Sequence, residues 1–180
     1  QQNTLRDALV AAITLDTFNR QADKLVMANI AQAVNVLQAL FLTQDDRLVL
    51  TPTYHVFDMY QHHQGGRGVR MEIESPSASF LVGEEKRTMP TLAGSASIKG
   101  NTLTLSLTNA HARLPLDVTL DFQDVMAGAC ERRTLVHDDL HAHNTFDNPH
   151  SLSPSNSIRY RVELITLPAA SVSVLRVKLS

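Results

Sequence analysis

Residues 25–43, LVMANIAQAVNVLQALFLT, form a long apolar run without a single charge, and whatever this chain folds into must cover it. Four amides interrupt the run: Asn29, Gln32, Asn35 and Gln38. They advance by threes, so one long helix could hold them roughly together. The other reading is a short buried parallel strand over residues 26–31, whose end delivers Gln32 into a cleft. Parallel strands buried on both faces read as continuous apolar runs, and in α/β sheets and barrels ligands sit beyond the carboxyl ends of such strands. The residues alone leave both readings open, with the strand preferred.

The flanks favour alternation of helix and strand. Thr4 followed by Asp7 resembles a capping box, and Leu5, Ala8, Leu9, Ala12 and Ile13 make one helical stripe. Asp7 at the start and Arg20 and Lys24 at the end suit the helix dipole. After the run comes a polar break, Gln44-Asp45-Asp46-Arg47, and then Thr51-Pro52, an N-cap followed by proline at the first helical position. Val56, Phe57 and Tyr60 give that second helix its apolar face, and Gly65-Gly66 ends it.

From Val69 the texture changes to short β-rich runs: VRMEIE, SASFLV, SASIKG, TLTLSLT, LDVTLDF, RTLVHDD, RYRVELITL and SVSVLRVKL. TLTLSLT and SVSVLRVKL alternate polar and apolar as half-buried antiparallel strands do. Lys99-Gly100-Asn101 is a credible hairpin turn. The expected fold class is therefore α/β plus all-β: residues 1–66 as a helix–strand–helix piece, residues 67–180 as an antiparallel β-sandwich. Two helices cannot cover a parallel strand, whose edges need neighbours. Residues 1–66 thus read as the last turns of a barrel or sheet that begins on other chain. Gln1 is no initiator, which leads to the expectation of a fragment, a processed product or a subunit.

Charge narrows the function classes. A formal net charge of −2 offers no electrostatic footprint for nucleic acid or an anionic membrane surface. The longest apolar run is broken by amides and falls short of a membrane span, and no basic, apolar leader pattern opens the sequence. One cysteine, Cys130, excludes an internal disulfide framework and suits a reducing, cytoplasmic setting.

The order NTLRDALVAA, MANIAQAVNVLQAL, LTPTYHVFDMY, AHNTFDNP and LPAASVSVL resembles the C-terminal third of the α-L-arabinofuranosidases of glycoside hydrolase family 51, across essentially the whole chain. The resemblance implies a (β/α)8 barrel followed by a β-sandwich, with residues 1–64 supplying the last helix of the seventh unit, the eighth strand and the eighth helix. It implies a retaining hydrolase of terminal α-L-arabinofuranosyl residues on arabinan, arabinoxylan or arabino-oligosaccharides, without cofactor or metal. Retaining glycosidases need two carboxylates across the scissile bond. In the family these are glutamates on the fourth and seventh strands, so both are expected on an N-terminal polypeptide of the same enzyme. This chain alone is expected to be inert, and the completed enzyme to be a homo-oligomer.

What the resemblance assigns here is Gln32, matching the glutamine that contacts the arabinofuranose ring. An amide offers two donors and one acceptor to sugar hydroxyls without titrating. The plain alternative is a buried glutamine satisfied by loop backbone. Asn35 reads as a loop-capping amide, while Asn29 and Gln38 match no role. His137, His141 and His143, with Asp138 and Asp139, could pass for a metal site, but loop hydrogen bonding is the preferred account. His62 and His63 suit a helix C-terminus, and Cys130 reads as a packed thiol. NTFDNP reads as a turn-rich sandwich loop packing on the barrel, and Arg159, Arg161, Arg176 and Lys178 as a solvated strand face. Two other classes compete: a stand-alone carbohydrate-binding or assembly module, disfavoured by the lack of tryptophan platforms, and a metal-dependent binding protein using HDDLHAH.

Overall fold

The computed structural model describes residues 3–30, 32–123, 125–159 and 162–180. Helix α1, Leu5–Arg20, begins where the capping residues place it: the Thr4 N–H and the Thr4 hydroxyl both donate to Asp7 Oδ2, each at 2.9 Å. Its stripe of Leu5, Ala8, Leu9 and Ala12 is buried. Strands β1, Phe41–Gln44, and β2, Arg47–Leu50, form an antiparallel hairpin across the polar break, with Asp45 at φ +55°. Helix α2, Pro52–Tyr60, starts as expected, the Tyr54 N–H donating to Thr51 Oγ1 at 3.1 Å, and runs into a 3-10 turn at Gln61–His63.

Ten further strands follow: β3 (Arg67–Val69), β4 (Ser77–Val82), β5 (Glu85–Pro90), β6 (Leu92–Lys99), β7 (Thr102–Asn109), β8 (Leu116–Thr119), β9 (Ala127–Leu135), β10 (Ser155–Arg159), β11 (Leu164–Leu167) and β12 (Ser171–Leu179). Six of them make one antiparallel sheet in the order β10-β9-β12-β7-β6-β3, while β8 pairs with β11 and β4 with β5. Gly100 turns the β6–β7 hairpin at φ +60°, in the left-handed region glycine enters freely.

The six-stranded sheet separates two apolar cores. On one face α1 and α2 pack through Leu5, Leu9, Val56 and Met59 onto Leu135, Val172 and Val174. On the other face Leu105, Leu107, Leu175 and Val177 pack with Val118, Ile165 and Leu167 of the β8–β11 pair. Residues on both sides of Gly66 therefore share one core.

One expectation is not shown in this chain and one needs correction. Among the described residues, 26–30 form neither the expected strand nor a long helix: α1 ends at Arg20, and residues 27–30 have no regular hydrogen-bonded pairing, Ala31 lying outside the described residues. A parallel strand exists only beside a neighbour, and no described strand lies there to pair with it. The run is also not covered: Val26 is 101% and Met27 72% exposed. Secondly, the polar positions of β6 and β7 do not face water. Ser95, Ser97, Thr104, Ser106 and Thr108 are buried beneath the helices. Of the basic strand face, Lys178 is exposed and Arg176 pairs with Glu131 at 3.0 Å, whereas Arg161 and the Arg159 side chain lie outside the described residues.

Candidate functional site

Gln32 is exposed at the end of the uncovered run, and the chain doubles back immediately after it. Ala33 O accepts from the N–H groups of Leu40 (2.9 Å) and Phe41 (3.0 Å), closing a loop whose base lies beside Gln32. Asn35 holds the loop from within. Its Oδ1 accepts from the Thr43 N–H at 2.8 Å, and its Nδ2 donates to Thr43 O and Oγ1 at 3.1 and 3.0 Å. This is the loop-capping role expected of it, with φ at +53°, where asparagine is among the better tolerated residues. The N-cap of α2 anchors the far side: the Thr51 hydroxyl donates to Ala39 O at 2.7 Å. Gln32 thus sits on a surface that is open but not loose.

No carboxylate pair accompanies it among the described residues. Glu84 lies in the exposed turn between β4 and β5, and Glu85 opens β5 with an ion pair to Arg87. Asp139 Oδ1 accepts from the His141 N–H at 2.8 Å. The histidines of the same segment bond within their own loop: His137 Nδ1 accepts from the Asp139 N–H, and His143 Nδ1 lies 3.0 Å from His141 O. Among the described residues no three His, Cys, Asp or Glu side chains converge on a point that could hold a metal ion. The segment serves α1 instead, Ala142 O and Leu140 O accepting from the otherwise unpaired N–H groups of Leu5 and Arg6.

NTFDNP packs against the β1–β2 hairpin. Asn144, 3% exposed, donates from Nδ2 to Leu50 O and Leu152 O, and accepts the Leu152 N–H at 2.7 Å. Arg47 lies 4.9 Å from the Phe146 ring centre and 3.6 Å from Asp147. Cys130 is fully buried in the second core. His63 departs from expectation: it is buried, its Nδ1 lies 2.8 Å from Ser97 Oγ, and burial pushes its pKa down to about 4. It is a neutral packing group, not a cation at a helix end.

A buried polar centre was not anticipated. Asp16, 1% exposed, accepts at Oδ1 from the hydroxyls of Ser95 (2.8 Å) and Ser106, with the Thr108 hydroxyl 3.5 Å from Oδ2. Loss of solvation outweighs these hydroxyls and raises its pKa from 3.8 to about 6. Asn19 Nδ2 donates to Ser95 Oγ at 3.0 Å, and the buried Tyr60 hydroxyl donates to Ala12 O. The signal was present: Asp16 continues the stripe of Leu5, Leu9 and Ala12, a carboxylate on a face otherwise apolar.

The family model described as alpha-L-arabinofuranosidase C-terminal domain matches residues 1–171. An intracellular exo-alpha-L-arabinofuranosidase of Bacteroides ovatus is 36% identical over 183 aligned residues, which cover 99% of this chain and 35% of that protein. The crystal structure of the GH51 arabinofuranosidase from Xanthomonas axonopodis pv. citri superposes with a TM-score of 0.83 at 34% identity, over 99% of this chain and 36% of its own. An alpha-L-arabinofuranosidase from Thermotoga maritima, in complex with arabinose, gives 0.87 at 25% identity, over 99% and 39%. The chain therefore spans about a third of the length of the curated relative that it matches. Among the described residues no helix is long and apolar enough to cross a membrane.

Proposed function

Because this chain belongs to the family of α-L-arabinofuranosidase C-terminal domains, we propose that it forms the C-terminal part of a retaining α-L-arabinofuranosidase. Residues 1–66 complete a (β/α)8 barrel whose other strands and two catalytic glutamates lie on the remaining polypeptide, and residues 67–180 form the sandwich domain. The observation that carries this reading is the uncovered run: Val26, Met27 and Val34 stand exposed within one uncharged apolar stretch, beside two buried cores. An apolar ledge of this kind is an interface awaiting its other half, and residues 26–31 would gain strand neighbours there on both edges.

In the completed enzyme Gln32 reaches the mouth of the barrel and orients the terminal arabinofuranosyl ring through its amide. The remaining polypeptide performs the two displacements, forming and then hydrolysing an arabinosyl–enzyme. The chain by itself is inert. The substrates are arabinan, arabinoxylan or arabino-oligosaccharides, and the name of the Bacteroides ovatus relative supports an intracellular location. The completed enzyme is a homo-oligomer.

The test is kinetic. The assembled enzyme should release arabinose from an aryl α-L-arabinofuranoside with retention. Gln32→Ala should lower kcat/KM by about ten- to a hundredfold, since a lost hydrogen bond to a bound substrate costs about 1.5–3 kcal/mol. Unchanged kinetics would remove Gln32 from the site.

A further inference from the structure

The loop that follows Gln32 is built more rigidly than a surface connection requires. Its base is closed on Ala33 O, its interior is held by the Asn35 amide, and its far side is fastened to Thr51 by the hydroxyl bond to Ala39 O and by the Thr51 N–H to Leu40 O at 3.1 Å. The Ala39 N–H donates to Val36 O at 3.2 Å, closing a turn with Leu37 and Gln38 at its two central positions. Both side chains point to solvent, Leu37 with 78% of its surface exposed.

Gln38 is the anomaly. Its φ is +57°, at the turn position that favours glycine or asparagine. Asn35, also left-handed, is accounted for by the three hydrogen bonds of its amide. Gln38 is exposed, and no comparable local role accounts for a long amide there. Unfavourable backbone retained at a rigid, exposed tip is a reason to ask what the side chain touches. Leu37 stands four residues beyond Gln32's neighbour Ala33, and Gln38 two from Leu40 on the other side, a reach of at most about 14 Å. In a (β/α)8 barrel the connection from a strand to the following helix lies on the catalytic face.

We propose that Leu37 and Gln38 determine specificity for the sugar unit on the leaving-group side of the scissile bond. Gln38 hydrogen-bonds the hydroxyls of that unit, and Leu37 covers its C–H face. The proposal rests on the function proposed above and deepens it. Gln32 holds the terminal ring, and the tip, further along the same rim, reads what that ring is attached to. An amide beside an apolar side chain matches the mixed hydroxyl and C–H surface of a sugar.

The experiment uses the assembled enzyme and two substrates, a short α-arabino-oligosaccharide and an aryl α-L-arabinofuranoside whose leaving group carries no sugar. Gln38→Gly and Leu37→Ala are measured beside Gln32→Ala, each with its thermal midpoint. Glycine accepts the left-handed turn, so Gln38→Gly keeps the loop. The expected result is a selectivity ratio, oligosaccharide over aryl glycoside in kcat/KM, that falls about tenfold in Gln38→Gly and in Leu37→Ala. In Gln32→Ala both substrates should suffer alike. A ratio unchanged in both tip variants, whether activity holds or falls uniformly, overturns the tip proposal while leaving Gln32 intact. Insensitivity of every variant, Gln32→Ala included, overturns the underlying reading together with it.

Discussion

Replacing Asp16 by asparagine should make the folded protein more stable at neutral pH. Asp16 is buried between α1 and the β6–β7 hairpin, where the hydroxyls of Ser95, Ser106, Thr108 and Tyr60 but, among the described residues, no cation face it, and its pKa rises from 3.8 to about 6. The titratable neighbour from α2 is Tyr60, itself held neutral by burial. The folded chain thus keeps a proton on Asp16 up to about pH 6, whereas the unfolded chain releases it near 3.8. Stability from this group is fully present below about pH 4 and is lost as pH rises through 6. A shift of about two units at 1.36 kcal/mol each is worth about 3 kcal/mol. In Asp16→Asn the amide oxygen keeps the Ser95 and Ser106 hydroxyls, and the amide nitrogen meets Thr108, which turns to accept. That exchange costs about 1 kcal/mol or less, leaving a net gain of about 2 kcal/mol at pH 7. Urea unfolding of parent and variant from pH 4 to 7.5 measures it. The difference between the two should grow across pH 4–6 and then level off. A difference independent of pH, or a variant less stable than the parent at pH 7, would refute the reasoning.

Two further substitutions follow from the same geometry. His63 behaves with the opposite sign to Asp16: its pKa falls from 6.5 to about 4, so its contribution is present above about pH 6.5 and lost as pH drops through 4. His63→Gln, which keeps a partner for Ser97, should flatten that acid-side loss in the same unfolding series. Asn144→Ala should destabilise by about 3 kcal/mol, because it leaves Leu50 O, Leu152 O and the Leu152 N–H without their partner in a buried setting. Its denaturant midpoint should fall without a change in slope.

Local signals in the sequence were read correctly wherever short-range chemistry decides the structure. Thr4 with Asp7 and Thr51 with Pro52 start the two helices, Gly100 turns β6 into β7, and seven of the eight β-rich runs coincide wholly or in part with a strand, VRMEIE meeting β3 only at Val69. Reading failed where a distant partner decides. The serines and threonines of β6 and β7 alternate with apolar residues and so look like a solvent face, but α1 covers them, and Asp16 on that helix answers their hydroxyls. The β1–β2 hairpin was hidden inside an apolar run and a polar break that gave no glycine to mark the turn. The strand expected at residues 26–31 depends on neighbours that no described element provides. For the candidate site, Asn35 was legible because its role is local. Gln38 was not, since nothing in its identity announces a left-handed backbone.

The central claim, that the apolar ledge at residues 25–34 belongs to a barrel completed by the remaining polypeptide, is tested most directly by complementation. This chain is purified alone and mixed with the remaining polypeptide of the enzyme, and release of arabinose from an aryl α-L-arabinofuranoside is followed beside native mass. The account predicts that neither part is active alone, and that a stable complex forms and acquires activity on mixing. A 180-residue chain that stays monomeric, unfolds cooperatively and ignores the other polypeptide would contradict it.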